Sequence, residues 1–301
     1  MIEAENIAKT FLGAGGERVE ALRGVSLSVA TGELFGLIGP DGGGKTTFLR
    51  VLANLTDADS GSAFIDGVDC FKSPAKLRGK LGYMPGKFSL YKDLSVEENL
   101  RFFASIFKAD ADANRPLIEE IYSSLEPFKD RLAGRLSGGM KQKLALCCAL
   151  VINPKVLLLD EPTTGVDPVY RKEFWGSLMR LKKAGMTVLV STPYMEEAAL
   201  CDKIAFISSG KFLRSGAPEE LSKSFGKTIA KASAPDMFAL LAELRGCPFV
   251  EYAHSFGDSC HAVLRAGFDL RNLREYLKDS AGARVEESTA SVEDAFIDLT
   301  V

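Results

Sequence analysis

The run Gly39-Pro40-Asp41-Gly42-Gly43-Gly44-Lys45-Thr46, followed by Thr47, constrains this chain more than any other segment. It fits the spacing G-x-x-x-x-G-K-[ST] and lies between an apolar run at residues 33–38 (ELFGLI) and a helical pattern at 45–53. Strand, glycine loop and helix in that order aim backbone N–H groups at one point, at the positive end of a helix. Glycines are required there because the main chain must approach an anion closely. Such a loop cradles phosphates: Lys45 would reach the β- and γ-phosphates of a nucleotide, and the Thr46 hydroxyl would ligate Mg2+.

A second segment completes that chemistry. Residues 156–159 form an apolar strand that ends in Asp160 and Glu161. Paired carboxylates at the end of a buried strand are costly unless they hold a cation or move a proton. Asp160 is placed to hold Mg2+, directly or through water, and Glu161 to polarise an attacking water. Residues 187–190 are a similar run, of the kind expected in a parallel sheet covered on both faces. Residues 205–207 and 211–214, joined by Ser208-Ser209-Gly210, read as a closing hairpin.

Composition narrows the partners. The 301 residues carry a net charge of −3, with 46% hydrophobic and 26% charged residues, which argues against a nucleic-acid surface. The longest apolar runs fall short of the ~20 residues that span a bilayer. The first residues, Met1 to Glu5, lack the features of a signal peptide. A soluble, cytoplasmic chain is therefore expected, with any membrane role supplied by a partner. The six cysteines show no metal-ligand spacing and read as reduced, buried thiols. The two histidines, His254 and His261, lie late in the chain.

The pattern is strand-like over the first seventy residues and turns helical over 95–133, with Val96, Leu100 and Phe103 on one stripe and Ile118, Ile121 and Leu125 on another. After about Ser224 the character changes. Strands are expected at 228–232, 249–254 and 261–264, and helices at 236–244 and 270–277. A last helix opens at Ser291 with Asp294 as capping-box partner. The order β-α-β-β-α-β is that of a small split βαβ domain over 225–301.

Leu136-Ser137-Gly138-Gly139-Met140-Lys141-Gln142 lies shortly before the acidic strand and opens a long apolar helix. Between a phosphate loop and that strand, it resembles the signature motif of the ABC ATPase family, whose motifs run in order through about residue 220. The resemblance implies an α/β fold: a RecA-like P-loop NTPase core with an N-terminal antiparallel β subdomain and an inserted helical subdomain at about 88–150. Together these make an ATPase domain over 1–224, followed by a small α+β C-terminal domain. It also implies ATP and Mg2+ as cofactors and a head-to-tail dimer, in which Leu136, Ser137, Gly138, Gly139 and Gln142 face the γ-phosphate held by the partner. Phe11 corresponds to the aromatic that stacks on adenine, although it also suits a core position. Gly165-Val166-Asp167 matches the D-loop. Residues 90–100 resemble the segment facing a membrane subunit, especially in ABC-2-type multidrug or antibiotic exporters, and the ending at 291–300 is similar to the last helix of that group.

Two expected side chains are missing. Where the family pattern has Gln, this chain has Gly86; where it has His, this chain has Pro193. Neither can contact water or phosphate through a polar side chain. The expected function is an ATP-hydrolysing subunit of an exporter, peripheral on the cytoplasmic face, working as a homodimer or a heterodimer with a separate permease. Its turnover is slowed by Gly86 and Pro193. The alternatives are a regulatory ABC subunit with little hydrolysis and a soluble, non-transport ABC ATPase.

Overall fold

The computed structural model describes residues 1–13, 15–278, 280 and 282–300. Internal contacts divide the chain into two units, Met1–Pro218 and Glu219–Val301, slightly ahead of the composition change expected at Ser224.

In the first unit the chain begins with two long strands, β1 (Ile2–Leu12) and β2 (Arg18–Val29), followed by β3 (Leu34–Ile38). Next come α1 (Lys45–Leu52), β4 (Ser60–Ile65), β5 (Val68–Asp69), α2 (Pro74–Arg78) and β6 (Leu81–Met84). A helical stretch holds α3 (Val96–Ile106), α4 (Arg115–Tyr122) and α5 (Gly138–Leu150). The unit continues with β7 (Val156–Asp160), α6 (Pro168–Lys183), β8 (Thr187–Thr192), α7 (Met195–Ala198), β9 (Lys203–Ser208) and β10 (Lys211–Gly216).

Two sheets result. One is antiparallel, in the order β2-β1-β4-β5; the other runs β10-β9-β3-β8-β7-β6 and is parallel except for its β10 edge. Every residue of β3, β7 and β8 is buried, as a strand covered on both faces must be. The apolar runs LFGLI, VLLL and VLV supply most of that burial. The β9–β10 hairpin closes through Ser209 and Gly210, both with positive φ, the geometry that matches strand twist.

The helical stretch is interrupted where the sequence pattern looked continuous. Lys108 takes a left-handed φ of 54°, and Asp110 Oδ1 accepts from the backbone N–H groups of Asp112 and Ala113 in an Asx turn. Pro116 then restarts the chain as α4. The inward stripe holds, with Val96, Leu100, Ile118, Ile121 and Leu125 buried and Phe103 half-buried.

The second unit contains, after α8 (Pro218–Lys223), the elements β11 (Ile229–Ser233), α9 (Met237–Gly246), β12 (Val250–Phe256), β13 (Ser259–Leu264), α10 (Leu270–Tyr276), β14 (Arg284–Ser288) and α11 (Val292–Asp298). Its sheet is antiparallel in the order β12-β13-β11-β14, the split βαβ arrangement. Ala230, Ala262 and Leu264 of the sheet pack with Leu240 and Leu244 of α9 and Leu273 of α10. The sequence order called for a fourth strand, as the sixth element, without locating it. It lies at β14, an edge strand with no buried residue, whose one apolar side chain among charges carries little signal. Asp294 and Ser291 form the capping box at α11. All six cysteines are buried.

Candidate functional site

The phosphate loop is held by close backbone packing. Gly39 leaves β3 with its N–H donating to the Thr192 carbonyl at 3.4 Å, and a β-carbon there would sit 2.0 Å from the Ile207 carbonyl. Gly44 adopts a φ of 110°, and a β-carbon would meet the Ala21 carbonyl at 2.7 Å. Only glycine fits either position. Gly42 and Gly43 complete the turn, Pro40 and Asp41 are exposed at its outer edge, and Thr46 and Thr47 start α1.

Lys45 is 3% exposed, and its ammonium donates to the Gly39 carbonyl at 2.8 Å and the Pro40 carbonyl at 3.0 Å. It also lies 3.0 Å from Glu161 Oε1. Thr46 Oγ1 donates to Asp160 Oδ1 at 3.0 Å, and Ser191 Oγ donates to the same oxygen at 2.8 Å. Two motifs far apart in sequence therefore meet at one spot, because β3 and β7 flank β8 in the parallel sheet. Glu161 has a φ of 47°, a conformation that costs a non-glycine residue energy. Its N–H, held by the Ser191 carbonyl and hydroxyl at 3.1 Å each, fixes the turn that points the carboxylate at Lys45.

A cleft of about 450 Å³ opens over these groups, lined by Gly42 to Thr47, Glu161, Ser209 and, from β2, Arg18 and Arg23. The two arginines and Ser209 were not singled out from the sequence. They are brought in by strand pairing, and neither periodicity nor motif marks them. Phe11 is 42% exposed, so it is not a core aromatic, and Lys9 Nζ sits 5.5 Å above its ring. Phe11 does not itself line the cleft; its register partner Val19 does.

The oxygen donors of Thr46 and Asp160 suit Mg2+, which takes hard oxygen ligands beside phosphates. Nearby, burial and then the charge of Asp160 push the Tyr83 phenol up to about 12.

The remaining motifs lie elsewhere. Ser137 caps α5, its hydroxyl accepting from the Met140 N–H at 3.4 Å, and Ser137 and Gly138 are exposed. Gly139 is pressed against Tyr170, where a β-carbon would come within 2.4 Å of the ring. Leu136 is buried, and Gln142 stands beside Val166 and Tyr170. None of these signature residues lines the phosphate cleft of its own chain. Asp167 caps α6, accepting from Val169 and Tyr170 N–H groups at 3.0 and 3.1 Å.

At the two departures from the family pattern, Gly86 approaches Asp160, with a β-carbon position 3.0 Å from its carbonyl. Pro193 follows β8. Beneath it lies Glu197, 2% exposed, which accepts hydrogen bonds from Thr163 and Thr192 hydroxyls and has Arg171 Nε 3.6 Å away. This hub was missed because an acidic pair on a short helix reads as solvated. His254 and His261, the other possible imidazoles, pair with Asp294 in the second unit.

Comparison with known proteins agrees with this geometry. A family model described as ABC transporter matches residues 22–164. The chain is 39% identical over 99% of its length to the probable multidrug ABC transporter ATP-binding protein YbhF of Escherichia coli, but it spans only 52% of that protein. It is 36% identical to the Nod factor export ATP-binding protein I of Burkholderia lata, covering 99% of this chain and 96% of the relative. Among solved structures, the dimeric post-hydrolysis state of the ATP-binding cassette MJ0796 bound to ADP and Pi matches with a TM-score of 0.65 and 28% identity, over 72% of this chain and 98% of that one. By its fold, its motif order and these relatives, the chain belongs to the ABC transporter ATP-binding family.

Proposed function

We propose that this chain binds and hydrolyses ATP to drive an exporter whose membrane permease is a separate protein. The observation that carries the reading is the convergence of Lys45, Thr46, Asp160 and Glu161 around one cleft. The loop N–H groups and Lys45 bind the β- and γ-phosphates. Thr46 and Asp160 hold Mg2+, which neutralises phosphate charge when bound. Glu161 accepts a proton from the attacking water. Before it does so, the phosphates must draw Lys45 away from the carboxylate. The signature helix α5 presents its exposed N-terminus to the nucleotide of a second cassette in a head-to-tail dimer, and Asp167 stands at the same face.

An apolar groove of about 310 Å³, lined by Leu77, Tyr83, Leu90, Phe103, Phe107 and Ala145, supports a permease contact. It joins the core sheet to the helical stretch and includes the start of the segment that resembles the membrane-facing part of ABC-2-type exporters. No described helix is long and apolar enough to cross a membrane. The proposed location is the cytoplasmic face of the membrane.

The test is steady-state phosphate release from the purified chain with Mg-ATP, with and without a co-expressed permease. Hydrolysis that disappears in Glu161→Gln while nucleotide binding survives supports the reading. Equal rates in the two proteins would remove Glu161 from the proposed role.

A further inference from the structure

The second unit contains a buried polar cluster that nucleotide chemistry does not use. His254 on β12 and His261 on β13 are direct partners in strand register, so both imidazoles leave the same face of the sheet. Asp294 enters from α11, one turn after Ser291. His261 Nδ1 lies 2.9 Å and His254 Nε2 lies 3.3 Å from Asp294 Oδ1. One ligating atom from each of the three residues falls within 4.8 Å of the others.

We propose that His254, His261 and Asp294 bind a divalent transition-metal ion of the zinc class, which fastens α11 to the sheet. Bonds of ~2.0–2.1 Å to nitrogen and oxygen place tetrahedral ligands ~3.3 Å apart, close to the two separations above. Two imidazoles with one carboxylate favour such an ion over Mg2+ or Ca2+, which take oxygen ligands.

Three further observations support the site. Both ring nitrogens of His254 are shielded from solvent and make no hydrogen bond; Nε2 has only its 3.3 Å approach to Asp294 Oδ1, and an ion there gives it a full partner. Asp294 Oδ2 accepts from the N–H and the hydroxyl of Ser291 and lies 3.1 Å from His261 Nδ1, while Oδ1 faces both imidazoles. A hydrogen-bonded carboxylate is the usual support for a metal ligand. The rings are also held in place, since Phe256 stacks on His261 with centroids 3.9 Å apart and Tyr252 flanks His254.

The experiment uses the full chain, stripped with a chelator and titrated with Zn2+ by calorimetry and with Co2+ by visible absorption. One ion per chain is expected, with the absorption of a low-coordinate Co2+ site. His254→Gln and Asp294→Asn should each weaken binding by about 100-fold or more, since even supporting residues cost 10–100-fold. The amide oxygen in Asp294→Asn can still accept from the Ser291 N–H, and retained ATP binding with unchanged circular dichroism shows that both variants fold. A second readout is the His261 tautomer: its ring proton moves from Nδ1 to Nε2 on adding Zn2+, as seen in long-range nitrogen–proton spectra. No binding by the wild type, binding unchanged in both variants, or an unmoved His261 proton overturns the assignment.

Discussion

Lys45 Nζ lies 3.0 Å from Glu161 Oε1, so the cation of the phosphate loop and the carboxylate at the end of the acidic strand form an ion pair at the floor of the cleft. Lys45 also has two carbonyl acceptors, so it remains partnered if Glu161 loses its charge. Glu161→Gln is therefore expected to keep the fold and nucleotide binding while lowering phosphate release by about 10²–10⁴-fold. Phosphate release and equilibrium binding of a fluorescent ATP analogue, measured on the same preparation, check both halves.

Gly86 and Pro193 are expected to slow turnover. A charge-assisted bond to the γ-phosphate contributes about 1.5–3 kcal/mol, equivalent to roughly ten- to a hundredfold in rate. Pro193→His is expected to raise the maximal rate within that range, with little change in affinity. The turn itself persists, because Thr192 remains tied to Glu197 and to the Tyr194 N–H. A rate that stays at the wild-type value would show that the imidazole has no phosphate to reach.

Glu197 is buried with two threonine hydroxyls bonded to it and Arg171 nearby. Glu197→Ala strands those partners at a cost of about 3–5 kcal/mol, which lowers the melting temperature by on the order of 10 °C. Glu197→Gln retains hydrogen-bonding capacity and should fall by less. Differential scanning calorimetry of the two variants separates loss of the network from loss of charge.

The cysteines set an alkaline limit. Burial, and then the charge of Asp69, pushes the Cys70 thiol from 9.0 up to about 12. A raised value means that the folded state holds its proton longer than the unfolded one. The associated stability is thus complete below about pH 9 and is lost as pH rises toward 12. Cys70→Ala is expected to lessen the fall in melting temperature over that window. At neutral pH, all six thiols should resist an aromatic disulfide reagent until the chain is unfolded.

The legible parts of the molecule are those in which sequence neighbours share one local task. The phosphate loop could be located because its glycines, Lys45 and Thr46 lie on one turn between a strand and a helix. The capping box at Ser291 and Asp294 was legible for the same reason. The β14 strand was not, since an edge strand covered by little needs no apolar periodicity. The break at Lys108 depends on a single positive φ that a lysine does not advertise.

By itself, the sequence determined the order of motifs, the α/β class and the two departures at Gly86 and Pro193, because each depends on residue type at a fixed spacing. Tertiary structure alone decided which distant groups meet. Parallel pairing of β3, β8 and β7 joined Lys45 to Glu161 and Thr46 to Asp160, and packing buried Glu197. It also turned the two histidines, unremarkable in the sequence, toward Asp294. Strand register and helix docking set such contacts through the burial of the whole core, and no local run of residues encodes that sum.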